Sequence, residues 1–178
     1  MADRLWSFLA RRLASSERMQ TWLKKRAFST PYFDITYRDG RPYMRRWWVL
    51  PKWCLEYDPQ GVLQLKSWMP FSIRLHYIML PDEDPHLHDH PFSFRTLLLA
   101  GHYIEQDIMG NFKRVSAGET YESVAERFHR IDKVHEKGVW SLFIMGPHIH
   151  TWGFLVGERK IFWREYLKSI GRDGATMG

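Results

Sequence analysis

Cysteine is almost missing from this chain: Cys54 is the only one among 178 residues. A single thiol excludes an internal disulfide and any zinc site made from cysteines. It is compatible with a reducing cytoplasm, the compartment expected here. Long apolar runs are missing as well, and none approaches the roughly 20 residues that a bilayer-spanning helix needs. There is no internal repeat, no low-complexity tract and no linker between two halves. The organisation expected is a helical segment over residues 1–29, one folded domain over 30–170 and a flexible tail over 171–178.

Aromatic side chains are plentiful: nine Trp, eight Tyr and eleven Phe make up 16% of the sequence. That composition excludes a disordered chain and provides for a sizeable core. It also favours a β-rich fold, because aromatic rings suit pleated, half-buried surfaces. The formal charge of +6 is spread unevenly. Between Met1 and Arg26, Arg4, Arg11, Arg12, Arg18, Lys24, Lys25 and Arg26 are opposed only by Asp3 and Glu17. Leu5, Trp6, Leu9 and Leu13, then Met19, Trp22 and Leu23, follow helical spacing, with Ser15-Ser16-Glu17 as the break between two helices. A basic amphipathic segment over residues 1–27 can touch a membrane surface. The preferred reading is structural: it covers an open sheet face or packs in a homodimer.

From Thr30 onward the period shortens to that of strands. Strands are expected at Tyr43–Leu50, Leu63–Leu65, Ile73–Leu80, Arg95–Leu99, Tyr103–Ile108, Phe112–Val115, Glu119–Val124, Phe128–Val134, Val139–Ile144, Thr151–Val156 and Lys160–Phe162. Glycine and proline turns separate them, and a short helix at Trp163–Ile170 closes the chain. Many short, evenly spaced strands imply an antiparallel sandwich or barrel. Arg38, Arg41, Arg45, Arg46 and Lys52 lie among Tyr43, Trp47, Trp48 and Trp53. No nucleic-acid motif accompanies them. They are read as a strand with one aromatic face and one solvated face, and no nucleic-acid partner is expected.

The densest chemical signal is His86-Leu87-His88-Asp89-His90-Pro91. Residues two apart on a strand point to one side, and neutral imidazole is the commonest ligand for transition metals. Together with the run from Phe92 to Gly101, this stretch resembles the first motif of the cupin superfamily. His88 and His90 fall on its His-x-His pair and Gly101 on its closing glycine. Phe94 stands where the motif has a glutamate ligand, and Asp82 where it opens on glycine. Setting Gly118 on the opening glycine of the second cupin motif carries that motif's histidine onto His129. Val124, Glu126 and Lys133 depart from the rest of it.

The resemblance implies an all-β core, a double-stranded β-helix (jelly roll) spanning roughly residues 73–156. It implies that His88, His90 and His129 converge as a three-histidine metal site without a carboxylate. Such sites in cupins resemble those of thiol dioxygenases, which use iron(II); zinc fits the same ligands, and nickel and manganese occur in cupins too. His86 shares a face with His88 and is a candidate fourth ligand. His150, or His148 beside it, is a candidate acid–base group in a late strand of the barrel. Tyr103 is a candidate proton donor, and Arg95 or Arg74 a candidate clamp for an anionic substrate. Neither face of the strand around His76 is marked as inward, so that residue stays unplaced.

The function expected is therefore a metal-dependent cupin enzyme, an iron(II) dioxygenase acting on a small, anionic molecule. Two alternatives accompany it. One is a metal-free sugar-nucleotide isomerase or epimerase working through a histidine base and Tyr103. The other is a non-enzymatic binding or assembly module that uses its N-terminal helix.

Overall fold

Strand alternation punctuated by turns builds two facing sheets. The computed structural model describes residues 2–172, so the tail expected over 171–178 lies, from residue 173 on, outside the described residues. The chain opens with α1 (Ala2–Ser15) and α2 (Glu17–Ala27), broken where expected; Ser16 caps α2 by accepting from the Met19 backbone N–H at 3.3 Å. The strands come next as β1 (Ile35–Thr36), β2 (Pro42–Trp48), β3 (Leu55–Tyr57), β4 (Leu63–Leu65), β5 (Ser72–Ile78), β6 (Leu87–His88) and β7 (Phe94–Ala100). After them come β8 (His102–Asp107), β9 (Phe112–Ser116), β10 (Thr120–Ser123), β11 (His129–Val134), β12 (Val139–Met145), β13 (Gly153–Val156) and β14 (Arg159–Phe162). Helix α3 (Trp163–Ser169) is the last element.

One sheet has the order β1-β2-β5-β12-β7-β10 and the other β14-β13-β6-β11-β8-β9, every pairing antiparallel. Strands β5 to β12 are the heart of it. Four of them (β5-β12-β7-β10) face the other four (β6-β11-β8-β9), so the chain crosses repeatedly between the sheets. That strand order is the eight-stranded jelly roll with two Greek keys. Strands β1 and β2 widen the first sheet, and β13 and β14 widen the second. All eleven expected strands have a counterpart. The two-residue strands β1 and β6, and the short β3, are additional.

Both faces of the first sheet are covered. On its outer face, Ala10, Leu23 and Ala27 from the helices bury Leu75, Leu97, Leu99 and Leu142, with Trp6, Leu9 and Leu13 packed alongside. The basic N-terminal segment therefore lies on a sheet face, with Gln20 Nε2 donating to the Leu99 carbonyl at 3.2 Å. Between the sheets, Ile78, Leu98, Tyr103, Val115, Ile131 and Val139 fill one end of the barrel. Gly101, at the β7–β8 turn, has φ +78°, and a side chain there would run into the Gly138 carbonyl. Only glycine takes that backbone without strain.

Strand β2 departs from its expected partition into an aromatic and a solvated face. Arg46 and Trp48 point inward and are 4% and 1% exposed, while Trp47 packs against Phe28 and Trp140 on the helix side. Arg45, on the same side as Trp47, stays exposed, so the basic residues are split between solvent and the barrel interior. Among the described residues no helix is long and apolar enough to cross a membrane.

Candidate metal centre

Beside this packing the barrel holds a cavity of about 520 Å³, lined by aromatic rings and a set of histidines and arginines. His88, at the end of β6, pairs directly with His129 at the start of β11. Directly opposed residues in an antiparallel pair hold their side chains within contact of one another. His90 lies where the chain leaves β6, pinned by its backbone N–H donating to the Ala125 carbonyl at 3.1 Å. One ligand atom from each of the three histidines lies within 4.8 Å of the others. His90 Nε2 and His129 Nε2 are 2.8 Å apart. Two ring nitrogens aimed at each other so closely form a donor set that a cation would separate and satisfy.

The protonation chemistry suits a cation. Burial lowers the His88 pKa, with the neighbouring Asp82 carboxylate pulling the other way and His129 adding to the fall. Burial, then the charges of His129 and His88, press His90 well below the ordinary histidine value. Both imidazoles are thus held neutral, the form that binds metal. Two carboxylates stand behind the rings. Glu105 Oε2 lies 3.0 Å from His129 Nδ1, and Asp82 Oδ2 lies 3.9 Å from His88 Nδ1. The His129 N–H is not aligned on the Glu105 oxygen as a formed hydrogen bond. A full carboxylate at that distance nonetheless favours the proton on Nδ1, which leaves the Nε2 lone pair for a metal. The residues present fit a divalent cation.

Glu105 is 2% exposed, accepts from Tyr121 Oη at 2.5 Å and is paired with Arg127. Burial pushes its pKa up, but His129, Tyr121 and Arg127 together outweigh burial and hold it at about 2. Asp82 accepts from Tyr43 Oη at 2.5 Å and from the Ile131 backbone N–H at 2.6 Å. Asp82 is the residue that stands where the motif has glycine. Phe94, at the position of the missing glutamate, is 3% exposed and packs its ring 4.8 Å from His90 and 4.5 Å from Phe143. An aromatic ring thus stands beside the three histidines at the position where the resemblance would place a carboxylate.

The remaining candidates are distributed differently. His86 lines the cavity, but its Nδ1 is hydrogen-bonded to Tyr166 Oη at 2.9 Å and it is not one of the three converging histidines. His150 lines the cavity with Nδ1 3.0 Å from Lys160 Nζ; Lys160 in turn donates to Asp89 at 2.5 Å. Tyr103 also lines it, with its hydroxyl 3.0 Å from that of Tyr121, and burial raises its pKa further above the ordinary phenol range. Arg95 is not in the cavity. It sits beneath α1, bound to Glu122 at 2.5 Å and Asp3 at 3.1 Å, because strand alternation places it with Leu97 and Leu99 on the outer face. Arg74 and His76 are inward. Glu105 and Asp82 carried the least sequence signal, since nothing in their spacing ties them to a histidine elsewhere in the chain.

No protein-family model matches the chain, and no curated protein matches it. Solved structures do. A cupin 2 conserved barrel domain protein from Rhodopseudomonas palustris is 10% identical with a TM-score of 0.48, over 79% of this chain and 82% of the other. The polyketide cyclase RemF from Streptomyces resistomycificus is 11% identical with a TM-score of 0.48, over 71% and 79%. The DMSP lyase DddQ from Ruegeria pomeroyi is 14% identical with a TM-score of 0.45, over 66% and 54%. The chain spans about half the length of the DMSP lyase structures it matches, 47% and 54%. The jelly roll itself rests on the strand order.

Proposed function

We propose that this cupin-type jelly roll is a metal-dependent enzyme, a non-haem iron(II) dioxygenase acting on a small molecule held in the barrel. The observation that carries the reading is the convergence of His88, His90 and His129 within 4.8 Å with no carboxylate among them. Three neutral ligands leave the cation its full charge and leave coordination positions free. An iron(II) ion bound there would supply Lewis acidity and a place for dioxygen to react.

The chain's own residues have separable tasks. His88, His90 and His129 would hold the cation; Glu105, 3.0 Å from His129 Nδ1, favours the proton on that nitrogen, and Asp82, 3.9 Å from His88 Nδ1, places a negative charge behind the other ring. Phe94, Phe143 and Phe154 wall the site and keep bulk water from it. His150 can manage a proton: Lys160 Nζ has only hydrogens to give, so His150 Nδ1 accepts and the ring proton rests on Nε2. That Nε2 is buried without a hydrogen-bond partner, in a residue that lines the cavity.

Elemental analysis of protein purified without added metal tests the reading, with dioxygen-uptake screening of the iron-loaded protein against small organic acids as the second step. About one metal ion per chain is expected in the wild type, and none in His88→Ala or His129→Ala. The proposal fails if the wild type holds no stoichiometric metal or if both variants retain it. Uptake of dioxygen unchanged by chelation would count against it equally.

A further inference from the structure

The wall of the same cavity carries a second feature that the histidines do not use. Arg74 and His76 lie two residues apart on the inward face of β5. They pair across the sheet with Trp48 and Arg46 of β2, respectively. Arg74 is 9% exposed, Arg46 4% and His76 6%. All three line the cavity. Buried charges in proteins are paired almost without exception. Yet among the described residues no carboxylate lies within ion-pair distance of Arg74.

The surroundings of Arg74 hold it in place without neutralising it. Its guanidinium carbon sits 4.1 Å from the Tyr32 ring and 4.4 Å from the Trp48 ring. Burial lowers its pKa, and the group that opposes the fall is the Tyr32 phenol rather than a carboxylate. Its Nε is buried with no hydrogen-bond partner, and so is Nε2 of His76. Arg46 brings a second guanidinium to the same wall, and burial together with the charge of Arg74 lowers its pKa to about 9. Phe143 joins this cationic wall to the metal centre, with its ring stacked 4.8 Å from His76 and lying 6.1 Å from His90.

We propose that Arg74, flanked by Arg46 and His76, is an oxyanion subsite that anchors the carboxylate or phosphate of the substrate while the rest of the molecule reaches past Phe143 to the metal. Guanidinium is the group best suited to such a head, since its forked donors match two oxygens at once. The cavity of about 520 Å³ fits a small bifunctional molecule. The inference names the substrate class for the metal-dependent reading above and rests on it only for the position of the reacting end.

Calorimetric titration of the full-length protein with succinate and with inorganic phosphate tests the subsite. The titration is done on metal-stripped protein, so that an anion can be held only by the chain's own cations. Metal content of the untreated protein is measured alongside. At least one anion is expected to bind the wild type. Binding by succinate assigns a carboxylate head, and binding by phosphate assigns a phosphate head. Arg74→Lys keeps a charge but removes the fork, and a loss of affinity of about tenfold or more is expected. Its ligand-free melting temperature is expected to stay within about 4 °C of the wild type. His76→Gln, which leaves the guanidinium intact, is the second variant and is expected to weaken the same anion. The proposal is overturned if neither anion binds the wild type, or if the Arg74 variant binds as tightly as the wild type. Loss of the metal reading shows separately, as absent metal with anion binding intact.

Discussion

Replacing Glu105 by glutamine changes one buried atom and the charge it carries, and the donors around the carboxylate dictate the outcome. Three of them converge on it: Tyr121 Oη, an Arg127 guanidinium nitrogen and His129 Nδ1. Glutamine offers one oxygen and one NH₂ group in the same volume. Whichever way the amide turns, a donor faces a donor. If its oxygen stays with Arg127, its nitrogen confronts His129, and the ring escapes only by moving its proton from Nδ1 to Nε2. That removes the lone pair the metal needs. Loss of such an orienting partner typically lowers metal affinity by about 10- to 100-fold. Breaking a fully buried ion pair from one side costs about 3–5 kcal/mol, and the cost here falls below that because the Arg127 side chain left behind is 32% exposed and solvent screens its charge. The wild type carries a further signature. Its Glu105 carboxyl is held at about 2 in the folded chain, against 4.5 in an ordinary one. A depressed folded value means stability present above about pH 4.5 and lost as the pH falls from there toward 2. Denaturant titrations of metal-free protein at several pH values, with zinc or iron(II) titrations at neutral pH, measure both effects. Glu105→Gln should unfold at lower denaturant, bind metal more weakly and lack the acid-side slope that Glu105 contributes. Equal metal affinity in variant and wild type would show that Glu105 does not orient His129.

Phe94→Glu restores a carboxylate at the position where the motif has one. Metal-free protein should lose about 3–5 kcal/mol, as for truncation of a buried aromatic ring. Metal should recover part of that loss and bind more tightly than in the wild type, so the metal-induced rise in melting temperature should increase; an unchanged rise would place residue 94 outside reach of the cation. Arg95→Ala, in contrast, should leave metal content and any anion binding untouched. Its partners Glu122 and Asp3 are largely exposed, so the ion pairs contribute about 1 kcal/mol or less, and any further loss on melting measures the packing of its stem beneath α1 and Trp6. A loss of anion binding in this variant would contradict its position beneath α1.

How much of this could be read from the sequence depends on where alternation carries contrast. Strand positions were legible because glycine and proline turns punctuate them. The pairing of His88, His90 and His129 came from motif spacing. What spacing could not give was the inward face of each strand. In β7, residues Thr96 to Leu99 are all buried, because the barrel interior lies on one side and α1 on the other. A strand buried on both faces shows no polar side to mark the outside. Arg95 therefore read as a flanking residue of the metal motif and proved to be on the helix face. On β5, which is covered on both sides, the inward face could not be told from the outer one, so His76 stayed unplaced and Arg74 was no more than a candidate clamp.

The same covering explains why the carboxylates behind the histidines were obscure while the histidines were plain. Metal ligands must come from fixed places on adjoining strands, and their spacing repeats from chain to chain as a motif. An orienting carboxylate needs only to reach one ring nitrogen, and it can do so from any neighbouring strand. Glu105 reaches His129 across the β8–β11 pairing, where the facing residues are offset and interrupted by an irregularity at Ile131. Asp82 reaches His88 from the turn after β5, tied to β11 through the Ile131 backbone N–H at 2.6 Å. Both carboxylates thus meet the histidines through the same stretch of β11. A change that shifts the irregularity at Ile131 would disturb both orienting contacts together while leaving the three ligands in sequence untouched.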